Sequence, residues 1–295
     1  MIEDQAKGLR AAILSTQKVS DSTQEETLRA KFICISSGKG GVGKSNFTAN
    51  LAKELSDRGK KVVIIDADLG LANIEILFGV MAKSSFFDLI NAELTIEDII
   101  TEITPNLSII SGGSGIIEMA DIDDVKLSKV ISSLSYIGSG YDYVLIDTGA
   151  GISNIVTSFA SLASELIVII TSEPTSIADS YALIKTVANK DRQKKISLVI
   201  NRVTGKKEAQ DIFDNINAVS AKFIEKKLNY LGFIYEDSSV VKAVKRQRPL
   251  METAPQSKVA NCICSICDNI MSLEKQEQKQ KNSGFIDRLK GIFRN

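Results

Sequence analysis

Residues 31–52 read KFICISSGKGGVGKSNFTANLA, and the fold turns on them. An apolar run, FICIS at 32–36, gives way to glycines and then to a stretch whose apolar residues recur at helical spacing. Between the two, G-x-x-x-x-G-K-S is met by Gly38, Gly43, Lys44 and Ser45. Set between a strand and a helix, that spacing reads as a phosphate-binding loop. Glycines let the backbone curl around phosphate oxygens, while its N–H groups and the helix N-terminus supply fixed positive potential. The spacing predicts Lys44 on the β- and γ-phosphates and the Ser45 hydroxyl on Mg²⁺, with Gly40, Gly41, Val42 and Asn46 completing the cradle.

Outward from this loop, further apolar runs alternate with amphipathic stretches: VVIID (62–66), LSII (107–110), YVLID (143–147), LIVIIT (166–171), SLVIN (197–201) and LGFI (231–234). The runs are continuous rather than alternating, as strands buried on both faces should be. The rhythm predicts an α/β, doubly wound, mostly parallel sheet with helices on both faces. Acids stand where two of these strands leave the sheet. Asp66 and Asp68 end one and Asp147 ends another, at the edge that faces the ligand crevice in such sheets. Asp66 and Asp147 are expected to hold the Mg²⁺ shell, and Asp68 to orient an attacking water.

The chain has 295 residues, 36 Lys+Arg against 36 Asp+Glu, and no histidine. A net charge of zero argues against coating nucleic acid through overall charge. The missing histidines exclude His-ligated zinc, Ser-His-Asp triads and imidazole acid–base chemistry. No apolar run reaches the 18 or so residues of a membrane span, and MIEDQAKGLR lacks the apolar core of a signal peptide. The expected place is the cytoplasm. Cys34 sits in an apolar run, and Cys262, Cys264 and Cys267 lie together in VANCICSICDNIM, a helix-like segment. Three regions follow: residues 1–30, polar, with Ala6, Leu9, Ile13 and Leu14 near helical spacing; a domain at 31–273; and a polar linker with a final segment at 274–295. In that segment Phe285, Leu289, Ile292 and Phe293, with Ile286 beside them, share one helical face, and its net charge of +2 suits an anionic membrane surface.

Lys39 places a second lysine in the loop, and K-G-G-V-G-K-S resembles the deviant Walker A motif of the MinD and ParA ATPases. The resemblance covers roughly residues 31–270. It implies ATP and ADP as ligands with Mg²⁺, an ATP-bound homodimer with slow hydrolysis, and a Lys39 that reaches the partner's nucleotide, as an arginine finger does elsewhere. It also implies Asn201 on the adenine edge and the loop at 232–239, with Tyr235 and Glu236, walling the base pocket. Within that family, DQAKGLR (4–10), ADLGLANIEILFG (67–79) and TSEPTSIADSYALIK (171–185) resemble the FlhG (FleN, YlxH) branch of flagellar regulators. That branch implies regulation of flagellar number and placement. It further implies stimulation of the signal-recognition-type GTPase FlhF through Asp4, Gln5, Ala6, Leu9 and Arg10, and contacts with basal-body components or a transcription regulator. Rival readings are a division-site ATPase, a DNA-partitioning ATPase contacting phosphates through Lys242, Lys245, Arg246 and Arg248, and an iron–sulfur carrier using the Cys264-x-x-Cys267 spacing. No specific nucleic-acid partner is expected.

Overall fold

The computed structural model describes residues 30–68, 73–91, 94–112 and 133–277. The expectations at Asp4, Gln5, Ala6, Leu9 and Arg10, and at Phe285, Ile286, Leu289, Ile292 and Phe293, lie outside the described residues. Within them the chain alternates: β1 (Lys31–Ser37), α1 (Lys44–Asp57), β2 (Val62–Ala67), α2 (Asn73–Phe78), α3 (Phe86–Asn91), α4 (Ile96–Ile99), β3 (Ile100–Thr104) and β4 (Leu107–Ser111). There follow β5 (Tyr143–Ala150), α5 (Asn154–Leu162), β6 (Glu165–Thr171), α6 (Pro174–Lys190), β7 (Lys195–Val203), α7 (Lys206–Ile224), β8 (Asn229–Tyr235), α8 (Ser238–Lys245), α9 (Leu250–Thr253) and α10 (Lys258–Glu277).

The eight strands form one sheet in the order β3-β4-β2-β5-β1-β6-β7-β8. Every neighbouring pair is parallel except β3–β4. Each run named above is a strand. Their continuity has a packing cause: Phe32 and Cys34 enter one core while Ile33 and Ile35 enter the other, so a period of two is hidden by burial on both sides. One core receives Phe159 of α5, Leu183 of α6 and Phe213 of α7. The opposite core receives Phe47, Leu51 and Leu55 of α1 with Ile263, Ile266 and Ile270 of α10.

The antiparallel edge strand β3, ITEIT, is not among the expected strands. It is half-exposed throughout and carries Thr and Glu, so it lacks the apolar run that marks a covered strand. Helix α10 runs four residues past 273, through Glu277. Lys275, Gln276 and Glu277 are good helix formers, which carry the helix into a stretch whose polarity reads as linker.

Helix starts follow local chemistry. The Ser153 hydroxyl accepts from the Val156 N–H, Pro174 stands in the first turn of α6, and the Asp237 carboxylate accepts from Ser239 N–H to cap α8. On α10, Cys267 is buried and its thiol is pushed up to about 12 by desolvation, so it stays protonated as a packing residue. Among the described residues no group of three His, Cys, Asp or Glu side chains is placed to hold a metal ion, and no helix is long and apolar enough to cross a membrane.

Candidate nucleotide site

β1 delivers the chain to the loop at 38–43, and α1 carries it away with Lys44 as its first residue. Two glycines are required by space. A Cβ at Gly38 would stand 2.2 Å from the Asp179 carbonyl carbon, so the loop lies directly on the backbone of α6. Gly43 has φ of 92° and fits against the Asn201 amide, where a Cβ would come within 2.5 Å.

Lys44 turns under the loop. Its Nζ donates to Asp147 Oδ1 at 3.2 Å and to Ser45 Oγ at 3.5 Å, and lies 3.9 Å from Asp68 Oδ2. Thr48, one helical turn after Lys44, donates its hydroxyl proton to the same Asp147 oxygen at 2.9 Å. The other Asp147 oxygen, Oδ2, is buried without a hydrogen-bond partner among the described residues. An orphaned buried carboxylate oxygen costs free energy, and it is what a metal-hydration shell would satisfy. Strand register sets Asp66 beside Asp147 on β2 and β5. Ser45, Asp66 and Asp147 thus form a set of hard oxygen donors, which fits Mg²⁺.

The electrostatics are those of acids crowded in a dry place. Burial, then the neighbouring Asp147, raises the Asp66 carboxyl to about 7 against two backbone bonds, Asp68 N–H to Oδ1 at 3.1 Å and Ile74 N–H to Oδ2 at 3.1 Å. Burial also raises Asp147, opposed by Lys44 and by the hydroxyls of Ser45 and Thr48. Asp68 is held by the Asn73 amide at 3.2 Å and stands beside Gly149 at the end of β5.

Lys39 does not join Lys44. Its Nζ donates to Glu173 Oε2 at 2.6 Å and to Thr175 Oγ1 at 2.9 Å, at the start of α6, and this hydrogen bond with its charge keeps the Glu173 carboxyl below the usual range. One loop therefore presents two lysines with different partners: Lys44, 7% exposed, and Lys39, 40% exposed.

The structure brings Gly38, Lys39, Gly40, Gly41, Val42, Gly43, Lys44, Ser45 and Asn46 onto one loop and helix start, with Asp66, Asp68 and Asp147 beside them. Asn201 stands behind the loop: its Nδ2 donates to Val42 O at 2.7 Å and its Oδ1 accepts from Arg202 N–H, where φ is 56°. Tyr235 and Glu236 line a groove of about 980 Å³ with Thr204, Gly205 and Asp237 along β8 and α10, and the Glu236 N–H bonds Val203 O, two residues after Asn201. Sequence reasoning missed Thr48, Glu173 and Asn50. Asn50 accepts from Met251 N–H at 2.9 Å and so ties α1 to α9. Helical spacing from Lys44 reaches Thr48; nothing local marks the bonds of Glu173 to Lys39 or of Asn50 to Met251, which span more than 130 residues.

A strand, glycine-rich loop and helix at the switch point of a parallel sheet, with acids at the ends of β2 and β5, define a P-loop nucleotide-binding α/β protein. Residues 33–250 match the CobQ/CobB/MinD/ParA nucleotide binding domain, and the chain belongs to that family. It is 34% identical over 240 residues to the antiactivator FleN of Pseudomonas aeruginosa, covering 81% of this chain and 86% of FleN. It is 35% identical over 244 residues to the flagellum site-determining protein YlxH of Helicobacter pylori, covering 82% of each chain. The MinC:MinD cell division protein complex of Aquifex aeolicus superposes with a TM-score of 0.67 at 25% identity, covering 82% of this chain and 96% of that one.

Proposed function

We propose that this protein is an ATP-driven switch that dimerises around Mg²⁺-ATP, hydrolyses it slowly and regulates flagellar number and placement. The observation that carries the reading is the divergence of the two loop lysines. Lys44 is buried against the metal-site acid of its own subunit, whereas Lys39 is exposed and parked on Glu173. ATP draws Lys44 from Asp147 to its β- and γ-phosphates, which frees the Asp147 carboxylate. Ser45, Asp66 and Asp147 would hold Mg²⁺ and its waters, and the ion would supply neutralisation of phosphate charge. Asp68 accepts a hydrogen bond from the attacking water and aims its oxygen at the γ-phosphorus; as that bond forms, the bond to the β–γ bridging oxygen breaks and ADP leaves. Lys39, leaving Glu173, brings its ammonium to the partner subunit's nucleotide and stabilises the charge of the transferring group.

Flagellar regulation rests on the FleN and YlxH relatives. With it go two further proposals outside the described residues: a 1–20 segment whose Gln5 stimulates an FlhF-type GTPase, and a 284–295 helix that binds anionic membrane when two copies are presented by the dimer. Basal-body components and a flagellar transcription regulator are the downstream partners. The test of the switch is turnover against protein concentration. The rate per subunit should rise with concentration, and Lys39→Ala should abolish that rise while leaving ATP affinity within about twofold. A rate per subunit that is constant across concentrations overturns the proposal.

A further inference from the structure

We propose that α8 and the adjoining end of α2 form a docking surface for an acidic, aliphatic-faced helix of a partner protein. Residues 238–248 hold four cations, Lys242, Lys245, Arg246 and Arg248, and no acid. Arg248 is spent on Glu252 at 2.6 Å, whereas Lys245 and Arg246 make no ion pair among the described residues. Interleaved with them, Val241 is 56% exposed and Val244 is also exposed, and only Ala243 of α8 is buried. The end of α2 abuts this helix: a Cβ at Gly79 would lie 3.0 Å from the Gln247 carbonyl oxygen. Two residues on, Met81 is 85% exposed. Exposed aliphatics laced with free cations, in a chain whose net charge is zero, match a helix with Leu or Ile on one face and Asp or Glu flanking it.

The same cations attract any polyanion, and the exposed aliphatics favour protein over nucleic acid. Duplex DNA rewards cations and polar groups at phosphates and has no use for exposed Val241, Val244 and Met81. A membrane is distinguished by the vesicle arm of the experiment. The surface is also tied to α1, the helix that follows the phosphate loop, because the Met251 N–H just after it bonds Asn50.

The experiment measures anisotropy of three labelled probes against full-length protein: an 18-residue Leu/Glu amphipathic helical peptide, a random 24-base-pair duplex, and phosphatidylglycerol-containing vesicles. The peptide should bind with salt-sensitive affinity, weakened at least tenfold by Lys245→Glu with Arg246→Glu and several-fold by Val241→Ser. Vesicle and duplex binding should be the same in all three proteins. Absent peptide binding, peptide affinity unmoved in the variants, or a variant that loses duplex or vesicle binding overturns the assignment. ATP affinity and Tm, read in the same samples, should not change. A loss of ATP affinity in the unsubstituted protein would instead strike the ATPase reading.

Discussion

At the residue scale, the site is a competition for charge. Among the described residues Lys44 is the cation paired with Asp147, so Lys44→Ala both strands a buried carboxylate and removes the phosphate donor; charge-assisted bonds of this kind contribute about 1.5–3 kcal/mol. Nucleotide affinity should fall at least tenfold by fluorescence titration. Asp66 predicts a pH dependence. Its folded value of about 7 stands above the ordinary 3.8, so between those values the nucleotide-free fold holds more protons than the unfolded chain and loses stability as pH rises through about 7. Mg²⁺-nucleotide needs the carboxylate, and its affinity should climb with pH, by up to about tenfold per unit below 7, and level off above. Asp66→Asn should flatten that profile; an unaltered profile would show that another group titrates. The phosphate loop and the three acids were legible in the sequence because their chemistry is local. Glu173 was not, since the role of a strand-end glutamate emerges only when Lys39 is folded onto it.

At the element scale, the contact between the loop and α6 is the tightest fit. Gly38→Ala must push the loop off Asp179 and Ser180 backbone atoms, which cannot rotate away as a side chain would. A loss of about 1–3 kcal/mol is expected from overpacking, seen as a lower Tm, together with weaker ATP binding. Retained Tm would mean that the loop and helix part freely. At the opposite end of the strands, buried Glu165 is desolvated, yet Lys31 at 3.0 Å and Lys195 at 3.3 Å outweigh burial and hold its pKa low. Its stabilisation is present above the ordinary 4.5 and is lost as pH falls through the lower folded value. Glu165→Gln should cost about 3–5 kcal/mol near neutral pH in urea unfolding, because two lysines lose their shared partner. Covered strands such as VVIID and YVLID announce themselves through unbroken apolar runs, whereas β3 needed β4 beside it to become visible, and α10 outran its apolar pattern by a turn.

At the scale of the whole molecule, family membership covers the sheet and its loops, while the proposed switch calls for a second copy of the chain. Nothing in a run of residues states that Lys39 serves another subunit; that expectation comes with the family resemblance, and in the fold Lys39 is exposed and rests on Glu173 of its own chain. Asn201, expected at the adenine, braces Val42 through its Nδ2 in the nucleotide-free fold, so seating of the base on that amide is expected to require the bond to exchange. The central claim is that ATP closes two subunits around two nucleotides and that hydrolysis opens them. Asp68 is the residue whose removal separates those halves, since it touches neither the phosphate cradle's backbone nor the dimer-reaching lysine. The direct measurement is light scattering coupled to size-exclusion chromatography on Asp68→Ala in saturating ATP and Mg²⁺, and again in ADP. The account predicts a stable dimer with ATP and a monomer with ADP; a variant that stays monomeric in ATP while binding it would contradict the account.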